Sequence, residues 1–168
     1  MNEQHEPAPT ALDPSQRADH PADRVLLIER VFDAPPSLVF AVWSKPEHLV
    51  NWWGPKDFTL PHCITDFRVG GEYRFCMRAP DGIDHWVWGK YIEIVEPDRI
   101  VFTWEREDEN GHAKQSTIVT VTFENADGKT RFRLHHAVFG TTFDRDDHRH
   151  GWGECLDRLA AYVSTGRV

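Results

Sequence analysis

The 168-residue sequence lacks the residue patterns that mark metal, redox and nucleophilic sites. Its three cysteines, Cys63, Cys76 and Cys155, are far apart and form no Cys-x-x-Cys pair, which excludes a zinc ribbon and a thioredoxin-type motif. No predicted helix carries a His-x-x-x-His pair, although there are ten histidines, and no serine has a Gly-x-Ser-x-Gly context. We therefore expect no metal, no cofactor and no nucleophile-elbow hydrolase.

Basic charge and long apolar runs are also scarce. The 27 acidic residues outnumber the 19 basic ones, giving a net charge of −8, which argues against binding to nucleic acid or to anionic lipid. No apolar run approaches the ~18 residues of a membrane span. The N-terminus lacks the basic and apolar regions of a secretory signal. Together with the unpaired cysteines, these absences predict a cytoplasmic protein without nucleic-acid or membrane partners.

The chain divides into a tail and one domain. Residues 1–22 contain four prolines among polar residues and show no hydrophobic period, so they cannot bury enough apolar surface to offset chain entropy. We expect a disordered tail over residues 1–22 and a single domain over residues 23–168, a normal domain size.

Alternation of apolar residues and turn signals predict seven strands. The predicted strands are Val25–Phe32, Leu60–Val69, Glu72–Arg78, His85–Val95, Ile100–Glu105, Ser116–Glu124 and Thr130–Phe139. Two short helices, Leu38–Trp43 and Pro46–Trp52, should follow the first strand, with Gly54 ending the second in a left-handed conformation. A long amphipathic helix, capped by Asp144, should run to about Ser164.

This order predicts an α+β fold in which a curved antiparallel sheet packs one face on the C-terminal helix. Seven twisted strands curl strongly, and a straight helix cannot contact such a sheet everywhere. We therefore expect a gap between them that side chains fill or a ligand occupies.

Strand parity indicates which side chains face this gap. The expected inner rows are Tyr73, Phe75 and Met77; Ile100, Phe102 and Trp104; and Phe132, Leu134, His136 and Val138. His136 is the one ionisable residue of the last of these rows, and it either contacts a ligand or is a hydrogen-bonded core histidine. His148, one helical turn before Trp152, either approaches His136 or is solvated. Trp86 and Trp88 share a face and form either an aromatic wall or ordinary core.

Several spaced motifs resemble one known family. They are Arg30-Val31-Phe32-Asp33-Ala34-Pro35, Trp52-Trp53-Gly54-Pro55, the segment 66–74, Val101-Phe102-Thr103-Trp104 and the segment 151–159. These are similar to proteins like the C-terminal domain of the activator of the ninety-kilodalton heat-shock protein ATPase, in the START-like helix-grip superfamily. The resemblance implies a helix-grip fold with an internal cavity, and some relatives are homodimers.

The leading hypothesis is a noncatalytic domain that binds a small hydrophobic or aromatic molecule in this cavity. The expected ligand-binding residues are Tyr73, Phe75, Trp86, Trp88, Phe102, Trp104, His136, His148 and Trp152. One alternative, from the resemblance, is a co-chaperone-like or stress-related interaction domain that uses the outer surface. The other is a cyclase- or hydrolase-type enzyme with His136 as acid or base.

Overall fold

A computed structural model describes residues 21–107, 111–114, 116–165 and 168. Most of the predicted tail, residues 1–20, lies outside the described residues. Its last two residues, Pro21 and Ala22, belong to a 3-10 turn at Pro21–Arg24, so the described fold begins two residues earlier than expected.

Seven antiparallel strands form one sheet in the order β1-β7-β6-β5-β4-β3-β2. The strands are β1 Leu26–Phe32, β2 Thr59–Thr65, β3 Glu72–Arg78, β4 Asp84–Val95, β5 Arg99–Arg106, β6 Thr117–Ala126 and β7 Lys129–Ala137. Burial alternates along β7, where Thr130, Phe132, Leu134 and His136 are buried and the residues between them are exposed, so one face of the strand lies against the core. The predicted strand count and the antiparallel arrangement are confirmed.

Two short helices connect β1 to β2. They are α1 Pro36–Ala41 and α2 Pro46–Leu49, and each begins at a proline whose missing N–H and fixed φ suit the first helical position. α2 ends three residues before the predicted Trp52, and the chain continues through turns to Gly54, whose φ of 103° is the expected left-handed conformation.

The long helix α3 spans Thr142–Ser164 and packs its buried stripe on the inner face of the sheet. Its N-cap is Thr141, whose Oγ1 accepts a hydrogen bond from the backbone N–H of Asp144 at 3.1 Å. The prediction that Asp144 caps this helix is therefore wrong, because the helix already begins two residues before it. The arrangement is the predicted α+β helix-grip fold. None of the described helices is both long enough and apolar enough to cross a membrane.

Candidate functional site

The space between the inner face of the sheet and α3, here called the chamber, contains seven of the nine predicted site residues. Tyr73, Phe75, Phe102, Trp104 and His136 reach it from the sheet, and His148 and Trp152 reach it from α3. All seven are buried. Strand parity and the helical period therefore place these side chains correctly.

Trp86 and Trp88 do not line the chamber. In β4 the buried residues are Val87, Gly89 and Tyr91, so the two tryptophans lie on the opposite, outer face, where each is half-buried. Their predicted role as an inner aromatic wall is wrong.

The inner row of β7 also ends earlier than predicted. Val138 was expected inside but is 38% exposed, whereas Phe139 is buried. The strand stops at Ala137, and beyond it the two-residue alternation no longer applies. Phe139 packs on the rings of His136 and His148, with centroid distances of 4.3 Å and 4.7 Å.

The chamber is largely filled by tryptophans that sequence analysis did not assign to it. Trp43 and Trp53 come from the α1–α2 region, and their rings lie 6.4 Å and 5.5 Å from the ring of Trp152. Between these rings and the sheet, a cavity of about 10 Å³ remains. It is lined by Trp43, Leu49, Trp53, Tyr73, Phe75, Tyr91, Ile100 and Phe102. This volume holds about one water molecule.

Trp43 has a buried hydrogen-bond donor without an acceptor. The indole N–H groups of Trp52, Trp104 and Trp152 donate to protein atoms, but among the described residues none accepts from Trp43 Nε1. A buried N–H without a partner costs about 1–3 kcal/mol, so such groups in folded proteins call for a physical explanation. Trp43 also lines the apolar cavity.

The two chamber histidines belong to a hydrogen-bond network that fixes their tautomers. Trp152 Nε1 donates to His136 Nδ1 at 3.1 Å, so His136 carries its proton on Nε2, which bonds Thr117 Oγ1 at 2.7 Å. Trp104 Nε1 donates to His148 Nε2 at 3.2 Å, so His148 carries its proton on Nδ1 and donates it to the Asp144 carbonyl at 2.7 Å. All four ring nitrogens therefore have protein partners.

Both histidines are held in the neutral form. Burial lowers the pKa of His136 well below the usual 6.5, and the neighbouring His148 and Arg106 lower it further. Burial also lowers the pKa of His148 to about 4, with Arg106 as the second cause. Protonation would place an N–H of each ring against an indole N–H, so the network itself requires neutral imidazoles.

A second cavity, of about 40 Å³, lies at the histidine end of the chamber. Its walls combine the rings of Trp104, Phe139 and His148 with the polar side chains of Arg106, Lys114, Thr117 and Asp144. The Asp144 carboxylate closes this end by pairing with Lys114 at 3.2 Å and with Arg106 at 3.5 Å. Because Asp144 belongs to the first turn of α3, the closure depends on the position of that turn.

Two glycines, Gly151 and Gly153, separate the first turns of α3 from the rest of the helix. A Cβ added at Gly153 would have only Arg30 Nη2 nearby, at 4.0 Å, and one at Gly151 would touch Pro55 Cγ at 3.7 Å. Close packing therefore does not require either glycine. Each weakens a helix interior by about 1 kcal/mol relative to alanine, so the two glycines together lower the stability of this part of α3.

Metal binding has no support in the residues that the structure describes, where no three histidine, cysteine or acidic side chains lie together as a ligand set. His135 and His136 point to opposite faces of β7, as expected.

Comparison with known proteins identifies the family. The model of the family "Activator of Hsp90 ATPase homolog 1-like protein" matches residues 33–164. This chain belongs to that family. It matches none of the curated proteins.

Solved structures from several bacteria share the fold of this family member. A protein named AHSA1 from Silicibacter pomeroyi superposes with a TM-score of 0.77, at 28% identity over 85% of this chain and 99% of that one. A protein from Arthrobacter aurescens superposes with a TM-score of 0.75, at 26% identity over 87% of this chain and 89% of that one. A putative uncharacterized protein from Rhizobium leguminosarum superposes with a TM-score of 0.73, at 28% identity over 84% of this chain and 94% of that one.

The family match includes the whole chamber, because it begins at the end of β1 and ends with α3. Membership therefore accounts for the architecture of the site. What this member does with the site has to be argued from its own side chains.

Proposed function

We propose that this AHSA1-like protein binds a small, neutral, largely apolar molecule in the chamber, and that a hydrogen-bond acceptor on this molecule receives the indole N–H of Trp43. The unpartnered Trp43 donor beside an otherwise aromatic and aliphatic cavity is the observation that carries the proposal. Apolar pockets with one or a few placed polar groups are typical of ligand sites.

A neutral ligand fits the charges at the histidine end. The cations Arg106 and Lys114 are already paired with Asp144, and Arg106 also lies 3.6 Å from the Asp147 carboxylate. Both histidines are uncharged. A charged ligand would therefore lose hydration without gaining an unpaired partner of opposite sign.

The chamber has to enlarge to admit an organic molecule, because the cavities of about 10 Å³ and 40 Å³ described above hold only a few water molecules. We propose that entry occurs at the histidine end, where the ion pairs of Asp144 separate and the first turns of α3 swing about Gly151 and Gly153. The glycines support this step because packing gives no other reason for them.

The hydrogen-bond network favours binding over catalysis. A general acid or base needs a ring nitrogen that reaches the substrate. Both nitrogens of His136 are occupied by Trp152 and Thr117, and its side chain is fully buried. For the same reason we propose that His136 and His148 shape the end of the chamber rather than react. The free thiols of Cys63, Cys76 and Cys155 support placing this function in the cytoplasm.

The experiment compares two ligands of nearly equal shape, acetophenone and α-methylstyrene, which differ by C=O in place of C=CH₂. Their affinities are measured by calorimetry or tryptophan quenching on the wild type and on Trp43→Phe. One hydrogen bond contributes about 0.5–1.5 kcal/mol, so the affinity ratio of acetophenone to α-methylstyrene should fall about 2- to 12-fold in the variant.

Trp52→Phe is the matched control. Trp52 is also fully buried, but it does not line the cavity, and its N–H already donates to the Val42 carbonyl. This variant should keep the wild-type ratio. An unchanged ratio in Trp43→Phe, or no detectable binding of either compound to the wild type, would overturn the proposal.

A further inference from the structure

The outer face of the sheet carries a row of side chains that crosses the strands from β2 to β5. Ile64 pairs with Arg74, Arg74 pairs with Trp88, and Trp88 pairs with Glu105. Residues directly opposite each other on antiparallel strands point to the same face, with their Cβ atoms about 4.5–5.5 Å apart. This row, here called the Trp88 row, therefore presents an aliphatic residue, a cation, an indole ring and an anion in succession.

The Trp88 row is accessible, and its two charges lack ionic partners. Ile64 and Arg74 are exposed, and Trp88 and Glu105 are half-buried. Neighbouring charges of the outer face are paired, namely Arg78 with Asp84, Lys90 with Glu72, and Arg133 with Glu29. Within the described part of the chain, neither Arg74 nor Glu105 forms an ion pair, and the position of Trp88 separates them.

The Arg74 side chain is nevertheless held in place by aromatic rings. Its Cζ atom lies 4.5 Å from the ring centroid of Trp86 and 5.7 Å from that of Trp88. Indole faces attract a guanidinium, while its N–H groups stay available to a carboxylate. Because the cation is already positioned, pairing it with a carboxylate from outside costs less side-chain entropy.

The order of side chains makes the Trp88 row complementary to itself. A two-fold axis directed along β4 at Trp88 lays the row of a second copy over the first in reverse order. Arg74 of each copy then faces Glu105 of the other, and the two Trp88 rings face each other. A two-fold contact forms each of these charge pairs twice, which a partner with a different sequence would have to match on both sides of the indole.

We infer that the outer face of the sheet binds a second copy of this chain through the Trp88 row, with Arg74 of each copy on Glu105 of the other. Aromatic residues and arginine are the types enriched at protein interfaces. So short a row buries less area than a standard interface, so this dimer should dissociate in the micromolar to millimolar range. Because the contact lies on the face opposite the chamber, it forms whether or not a ligand is bound.

Charge reversal in the full chain tests this inference by sedimentation velocity over a concentration series. Arg74→Glu and Glu105→Arg each place like charges opposite each other across the two-fold axis. Each variant alone should therefore remain monomeric at concentrations where the wild type dimerises. An equimolar mixture of the two should dimerise, because an acidic row then faces a basic one. Mixing cannot repair a variant that has merely lost its fold, so recovery in the mixture identifies a direct contact between copies.

Two further variants calibrate the result. Arg133→Glu reverses an exposed arginine of the same face, three strands away from β4, and should dimerise like the wild type. Arg74→Gln removes the charge without reversing it and should raise the dissociation constant about 2- to 30-fold, because two exposed ion pairs are lost. A wild type that stays monomeric throughout, a charge-reversal variant of the row that dimerises alone, or a mixture that stays monomeric would overturn the inference.

Discussion

Acidification should destabilise the fold through His148, because the native state holds this imidazole neutral. Its pKa is about 4 in the folded chain, against 6.5 for an ordinary histidine. Between these two values the unfolded chain binds more protons than the folded one. The contribution of His148 to the free energy of unfolding is therefore fully present above about pH 6.5 and decreases as the pH falls toward 4. At 1.36 kcal/mol per pKa unit, the loss attributable to His148 is about 3 kcal/mol.

Urea unfolding at a series of pH values from 7 to 4 measures this loss, with His148→Gln as the non-titrating reference. Other groups also titrate in this range, so the informative quantity is the difference in slope between the two proteins. The wild type should lose about 3 kcal/mol more than the variant over this range. Parallel curves would refute the argument that burial holds His148 neutral in the folded chain.

Three further substitutions test the contacts around the chamber. Gly153→Ala should stabilise the protein by about 1 kcal/mol and raise Tm by about 2–4 °C, since its Cβ meets only Arg30 Nη2, at 4.0 Å; a lower Tm in calorimetry would disprove this. Thr117→Val should cost about 1–3 kcal/mol in urea unfolding at pH 7, because the N–H of His136 loses its acceptor; unchanged stability would contradict the network. Arg158→Met should lower the free energy of unfolding in urea by about 2 kcal/mol, because Arg158 Nη1 donates to three backbone carbonyls of the loop from Trp53 to Pro55. A change smaller than the experimental error would show that these hydrogen bonds do not contribute to stability.

The parts of the fold that sequence could predict are those where one face of an element is distinctly apolar. In β7, Phe132, Leu134 and His136 alternate with arginines and a histidine, so parity assigned their direction correctly. The long helix was placed by the three- and four-residue steps that join His148, Trp152 and Cys155.

Parity failed in β4 because both faces of that strand carry apolar residues. Trp86 and Trp88 share one face of β4 and Val87 lies on the other, so the pattern shows that the two rings lie together but not which face is buried. The outer indoles are instead covered by the Arg74 guanidinium, a contact from a neighbouring strand that only the register reveals.

Sequence patterns also could not predict which side chains fill the chamber. Trp43 and Trp53 belong to short helices and turns without a period long enough to assign a direction, so their rings were not counted in the core. The missed signal was the number of tryptophans itself, because five of the seven are buried together.

The indole N–H signal of Trp43 in ¹H–¹⁵N NMR spectra tests the central claim most directly. Saturation with acetophenone should move this proton resonance downfield, because the ligand carbonyl becomes the acceptor that the described residues do not supply. A Trp43 signal that keeps its position at saturation, while resonances elsewhere report binding, would contradict the claim.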